Sequence, residues 1–165
     1  MRGEGAGRDL AAALAAGTVV LDGGLATELE CRGHDLSGAL WSARLLREDP
    51  QAVVDAHAAY YAAGAQVATT ASYQVSEQGC LAAGLDRAEW ERMLRRSVEL
   101  ARRAQAESAT ETASSPDPAR PARPTWVAAS VGPYGAVLAD GSEYHGDYGL
   151  SVAQLRAFHL SLIHI

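Results

Sequence analysis

Residues 18–30 read TVVLDGGLATELE, a run of β-branched and aliphatic side chains that stops on a carboxylate and two glycines. An apolar run of this length, with Gly17 before it and Gly23 close behind, fits a buried strand at 18–22. The residues after that strand decide between two parallel α/β architectures. A doubly wound sheet places a GxGxxG turn behind its first strand to cradle phosphate; DGGLAT lacks that spacing, and Asp22 would repel a phosphate. A (β/α)8 barrel instead gathers its site from the loops at the C-terminal ends of its strands, which is where Asp22, Gly23 and Gly24 stand.

Upstream, RDLAAALAAG (8–17) predicts a short Ala/Leu helix stopped by Gly17, and downstream LATELECRG (25–33) suits a short helix closed by Gly33. Asp49 as N-cap and Pro50 at the first helical position open a further helix. Its stripe is Val53, Val54, His57, Tyr60 and Tyr61, and Gly64 ends it. QVATTA (66–71) is the second strand candidate. Asp86 and Glu89, at capping-box spacing, open a long helix with Trp90, Met93, Leu94, Val98, Ala101 and Ala104 on one side. Residues 107–124, ESATETASSPDPARPARP, are rich in Pro, Ser, Thr and Ala and predict a flexible insertion within the domain. TWVAASVG (125–132) is the third strand candidate, PYGAVLADGSEYHGDYGL (133–150) a long loop, and Ser151 with Gln154 the opening of a last helix.

A helix followed by three strand-and-helix units predicts an α/β fold, a (β/α)8 TIM-type barrel of which only the first three β/α units are present. Residues 1–165 are then the N-terminal portion of a barrel domain that takes eight units over about 250 residues. SVAQLRAFHLSLIHI (151–165) begins with a cap but reaches no Gly, Asn or Pro stop, so a chain cut inside or near a helix is expected. Such a chain, with an open strand edge, is expected to be marginal or aggregation-prone by itself.

Composition narrows the partners. The 165 residues are 48% hydrophobic, enough for a core, and carry a net charge of -6. Every basic residue is Arg, and none forms a polybasic run, which disfavours nucleic acid and anionic membranes and points to small molecules. No apolar stretch reaches the roughly 18 residues of a membrane span, and no secretory signal opens the chain, so a cytoplasmic location is expected. Cys31 and Cys80 are too few and too far apart for a disulfide framework or a self-contained zinc site, and the five histidines lack metal-motif spacing.

Three segments carry candidate chemistry. The Asp22 carboxylate can hold an ammonium or a thiol proton while Gly23 and Gly24 let the backbone approach a ligand; alternatively Asp22 caps the next helix and the glycines make the turn. In TTASYQ the alternation of a strand puts Thr70 and Ser72 on one side, where either hydroxyl could hold a carboxylate or bond locally. The loop after the third strand, with Tyr134, Tyr144, Tyr148, Asp140, Glu143, His145 and Asp147, reads as a lid or a cation-binding wall, or as a mobile Gly-rich connection.

VLDGGLATELECRG, LWSARLL with DPQAVVDAHAAYYAAGAQVATTASYQ, and SVGPYGAVLADGSEYHGDY together resemble the N-terminal part of the homocysteine S-methyltransferase family, in the branch that uses S-methylmethionine or S-adenosylmethionine. The likeness runs from about Thr18 to His159 and is interrupted by the Pro-rich segment. It implies a (β/α)8 barrel, homocysteine and a methyl sulfonium donor as substrates, and methionine as product. It also implies zinc on the homocysteine thiolate, because a free thiol has a pKa near 8.5 and a metal deprotonates it. Asp22, Gly23 and Gly24 then belong to the homocysteine pocket, Thr70 to a substrate-side position, and residues 132–148 to the same mouth. The family's zinc ligands, three late cysteines, have no counterpart here, and Cys31 and Cys80 do not replace them, so this chain carries no metal ligand or catalytic residue and is expected to be inactive alone. A non-catalytic amino-acid-binding or assembly fragment completed by a second chain is the other reading. The module of a folate and corrinoid methionine synthase is a third, which the DGSEYHGDY loop disfavours.

Overall fold

The computed structural model describes residues 4–37, 41–114, 123–138 and 140–163. The helices form where capping and apolar spacing place them. Helix α1 spans Glu4–Ala16, α2 Leu25–Cys31, α3 Leu45–Glu48 and α4 Pro50–Ala63. The Asp49 side chain accepts from Ala52 N at 3.2 Å to start α4, and Gly64, at φ 105°, ends it in a conformation that only glycine adopts freely. Helix α5 covers Glu77–Ala82 behind a Ser76 cap, and α6 covers Arg87–Ser114, with Asp86 accepting from Glu89 N at 2.7 Å.

Strand β1, Val67–Thr69, pairs in parallel with β2, Trp126–Ala128, in the register Val67↔Trp126. On the other edge of β1, Leu21 makes a single parallel bridge to Val67; Asp22 N donates to Val67 O at 2.9 Å and Gln66 N to Val20 O at 2.8 Å. Three parallel segments thus lie side by side in chain order, and the fold is mixed α/β. The strand expected at 18–22 is reduced to that one bridge. Its outer edge pairs with nothing among the described residues, and Val20 and Leu21 are 44% and 63% exposed.

The core lies between the helices and one face of this sheet. Helices α4 and α6 pack along each other, and Leu29, Leu46, Val53, Val54, Trp90 and Met93 are fully buried. Trp90 Nε1 donates to Val75 O at 3.4 Å, and Tyr61 Oη donates to Trp126 O at 2.9 Å, tying α4 to β2 through the buried layer. Burial pushes the Tyr61 phenol up to about 12, so it stays a donor.

Two further expectations change in the structure. Helix α6 continues through Ser114, so residues 107–114 of the expected flexible insertion are helical; 115–122 lie outside the described residues. In this last stretch Arg103 pairs with Glu107 at 2.7 Å, which favours the helix, and the hydroxyls of Thr110, Thr112 and Ser114 bond back to carbonyls four residues earlier, which satisfies them within the helix without stabilising it. The loop after β2 holds its own structure, helix α7 (Tyr134–Leu138) and a 3-10 turn at Ser142–Tyr144, before α8 (Val152–Ile163). Ser151 and Gln154 form a reciprocal cap at its start, Ser151 N to Gln154 Oε1 at 2.9 Å and Gln154 N to Ser151 Oγ at 3.3 Å. Among the described residues no helix is long and apolar enough to cross a membrane.

Leu14, Val20, Leu21, Val152 and Ile163 are exposed, and neither outer edge of the three segments is paired among the described residues. Edges and apolar patches of this kind drive self-association. Sedimentation of the chain should show a weight-average mass that rises with concentration, and Leu21→Lys should lower it; an ideal monomer over the whole range contradicts this.

Candidate functional site

Asp22 sits where the first segment leaves the sheet, half-buried, with both carboxylate oxygens engaged by one residue of the neighbouring strand. Thr69 N donates to Oδ2 at 2.6 Å and Thr69 Oγ1 donates to Oδ1 at 2.8 Å. Asp22 therefore does not cap α2: the N-cap residue is Gly24, which has no side chain to offer. A charge-assisted fork of this kind fixes the plane of the carboxylate, and truncating Asp22 would leave a partly buried Thr69 N–H unpaired at a cost of about 1–3 kcal/mol. Each oxygen keeps acceptor capacity for a further donor.

The glycine pair works by size, since neither Gly23 nor Gly24 is at positive φ. A Cβ on Gly23 would lie 3.0 Å from both Cε1 and Oη of Tyr60. Tyr60 cannot easily yield, because its Oη donates to Gly24 O at 3.0 Å. Burial, with the nearby negative charges of Glu28 and Asp22, holds the Tyr60 phenol above its ordinary range and keeps that donor protonated. Helix α4 thereby clamps the turn that carries Asp22.

Thr70 is buried beside Asp22's partner and belongs to a second network. Ser72 Oγ donates to Ser130 O at 2.7 Å, so in the 2.7 Å contact between the two hydroxyls Thr70 is the donor; Ser130 N donates to Thr70 Oγ1 at 2.9 Å. The single protons of Thr70 and Ser72 are both spent. Neither hydroxyl can donate to a carboxylate, and what they still offer is acceptor lone pairs. The network ties the end of β1 to the end of β2, so all three segments are cross-linked at one end.

The segment after β2 leans on this end. Gly132 packs directly on the backbone of Tyr73, so closely that a Cβ would overlap the Tyr73 carbonyl. Tyr134 meets Tyr148 edge-on at 5.6 Å and Phe158 at 5.2 Å, joining α7, the loop and α8. Asp140 accepts from Ser142 N at 2.9 Å, and hydrogen bonds from Ser142 hold its carboxyl below the usual range. A surface depression lined by Glu30, His34, Asp35, Leu36 and Ser37 shares no residue with the cluster.

His57, read from sequence as one position in a helix stripe, is fully buried with neither ring nitrogen hydrogen-bonded. Burial lowers its pKa from 6.5, against the opposing pull of Asp22. Among the described residues no three His, Cys, Asp or Glu side chains converge on a possible metal position. Cys31 is exposed, and Cys80 is buried, which raises its thiol to about 11. These residues do not fit a zinc site.

The family description "Homocysteine S-methyltransferase" matches residues 19–165. The chain belongs to the homocysteine S-methyltransferase family. Homocysteine S-methyltransferase of Escherichia coli K12 is 50% identical over 141 residues, which are 86% of this chain and 43% of that protein; YbgG of Bacillus subtilis is 45% identical over 86% and 44%. The crystal structure of the homocysteine methyltransferase MmuM from Escherichia coli in its metallated form superposes with a TM-score of 0.80 at 48% identity, over 92% of this chain and 51% of that one. The chain thus spans about half the length, or less, of the family members it matches.

Of the residues singled out from sequence, Asp22, Gly23 and Gly24 meet Thr70's neighbour at one end of the sheet, while Thr70 itself bonds to Ser72 and Ser130. Sequence reading missed Thr69 and Tyr60 as the partners of the DGG turn. The alternation that put Thr70 and Ser72 on one side also put Thr69 on the other, but it did not reveal Asp22 across the edge.

The lowered pKa of His57 sets a pH dependence. Below its ordinary 6.5 the unfolded chain binds a proton that the folded chain refuses, so stability falls as pH drops through 6.5 and below. Denaturant midpoints measured from pH 8 to pH 5 should decline, and His57→Leu should flatten that slope; an unchanged slope in the variant contradicts the assignment.

Proposed function

We propose that this chain is the homocysteine-holding part of a methyltransferase, the first three β/α units of a (β/α)8 barrel that works in the cytoplasm. The supporting observation is the Asp22 carboxylate, held by Thr69 at the end of three parallel segments where the loops gather, with acceptor capacity to spare. In this reading Asp22 accepts from the homocysteine ammonium, Gly23 and Gly24 give the ligand room beside the backbone, and Thr70 holds a substrate-side position by fixing the ends of β1 and β2 through Ser72 and Ser130. The reaction moves a methyl group from the sulfonium of S-methylmethionine or S-adenosylmethionine to homocysteine sulfur. The thiol loses its proton, the thiolate electron pair forms the new S–C bond, and the sulfonium leaves as a neutral thioether, so methionine is produced.

Zinc on the thiolate is part of the reading for the whole enzyme, but the residues described here supply no such site, and the ligands are assigned to the remainder of the domain. By itself the chain is inactive. The sheet edges, unpaired among the described residues, and exposed Leu21 favour a second reading of the same chain, a non-catalytic amino-acid-binding or assembly fragment completed by another chain.

Two assays test this. The purified chain with homocysteine, S-methylmethionine and zinc should form no methionine above the blank. Joined to the part of the Escherichia coli relative that it does not match, it should turn over, and Asp22→Asn in that chimera should lower kcat/KM by about tenfold or more. Turnover by the chain alone, or a folded chimera indifferent to Asp22→Asn, contradicts the proposal.

A further inference from the structure

His57 is fully buried, and both of its ring nitrogens are sealed from water without a hydrogen-bond partner. A neutral imidazole always carries one N–H donor, so the folded chain keeps an unsatisfied group that a leucine at the same place would not bring. A retained cost of this kind calls for a function. Tyr60 and Tyr61 lie one helical turn further along α4, on the same face as His57. Tyr60 Oη bonds Gly24 O at 3.0 Å and its ring crowds Gly23, while Tyr61 Oη bonds Trp126 O at 2.9 Å, so this face of α4 spans from the DGG turn across β1 to β2. His57 is thus buried between α4 and the strands, beside the turn that carries Asp22.

Asp22 is the charge that reaches it, favouring a proton on the ring against the burial that disfavours one. Other ionisable groups on the elements packed against α4 are engaged elsewhere: Glu28 with Arg32 on α2, Arg47 with Glu89 and Glu48 with Arg44 around α3, Arg103 with Glu107 on α6. Arg96 of α6 bonds Leu46 O, while Arg92, Arg95, Glu99 and Arg102 are exposed. Glu30 and Cys31 of α2 are exposed as well, and β1 has no ionisable side chain. On α4 itself Asp55 accepts from Gln51, and the Tyr60 and Tyr61 phenols stay protonated.

We propose that His57 is a proton-operated control on the Asp22 carboxylate. Neutral, it leaves the charge of the carboxylate to a ligand. Protonated, it becomes a buried cation that competes with the ligand for that one charge, and ligand affinity falls as pH drops. His57 touches no ligand and acts only through Asp22, which makes it a positioning residue. The coupling is reciprocal: a bound ammonium weakens proton binding at His57 by the factor by which the proton weakens the ammonium. This rests on the reading of Asp22 as an ammonium site and adds regulation to it.

Histidine proton NMR of the 165-residue chain from pH 8 downward tests the coupling without any ligand, the His57 signal being the one absent from His57→Leu. In wild type it should titrate below 6.5, and in Asp22→Asn its proton affinity should fall by a further factor of about three or more while the other histidines stay put. A smaller change overturns the proposal, as does a His57 that takes no proton before the chain unfolds. A second measurement does not depend on the folding of Asp22→Asn: homocysteine binding to wild type and His57→Leu at pH 7.5 and one unit below the His57 midpoint. Wild type should lose affinity by about twofold or more at the lower pH and His57→Leu should not. An equal loss in both overturns the proposal. No binding at either pH, with the shift in Asp22→Asn present, counts against the ammonium reading of Asp22 and supports the coupling of His57 to it.

Discussion

The fork from Thr69 to the Asp22 carboxylate is the contact on which the arrangement of the site depends. Two short hydrogen bonds, to Oδ2 and Oδ1, leave one orientation for the carboxylate and one position for the turn that follows it. The segment bearing Asp22 is otherwise weakly held, by a single bridge at Leu21 and few backbone bonds. A side-chain clamp thus does at this edge what a full ladder does between β1 and β2.

The same division of labour recurs at each segment end. Tyr60 grips the Gly24 carbonyl, Tyr61 grips that of Trp126, and Thr70, Ser72 and Ser130 pass their hydrogen bonds in a closed relay. Helix α4 supplies two of these grips from adjacent residues, one half-buried and one buried, because consecutive helical positions point about 100° apart. His57 lies one turn earlier on that helix, sealed and neutral, so the clamp helix carries a group that favours the folded state only while uncharged. Membership of the homocysteine S-methyltransferase family gives this geometry its chemical context, and the segment after β2 reaches the same sheet end through Gly132, which packs on the Tyr73 backbone.

Much of the fold was legible because capping is local. Asp49 with Pro50, Asp86 with Glu89, and Ser151 with Gln154 mark helix starts that the structure reproduces, since each cap involves residues three apart. The strand at 18–22 was legible as extended and apolar but not as poorly paired, because pairing depends on a neighbour that sequence does not name. Helix α6 ran past its expected end with an Arg103–Glu107 pair on its surface and its Thr hydroxyls bonded to the helix's own carbonyls, contacts that the Ser/Thr-rich composition does not reveal. At the site, Asp22 stood out by its place after an apolar run, whereas Thr69, Tyr60 and His57 acquire their roles only through contacts 36 or more residues away or through burial.

Amide hydrogen exchange at Thr69, followed in wild type and Asp22→Ala, addresses the central contact directly. The account predicts slow exchange in wild type and a loss of protection in the variant that is larger at Thr69 than at Ala68, whose amide bonds lie within the sheet. Equal protection of Thr69 in the two proteins would show that Asp22 does not hold the strand end, and the site built on it would not stand.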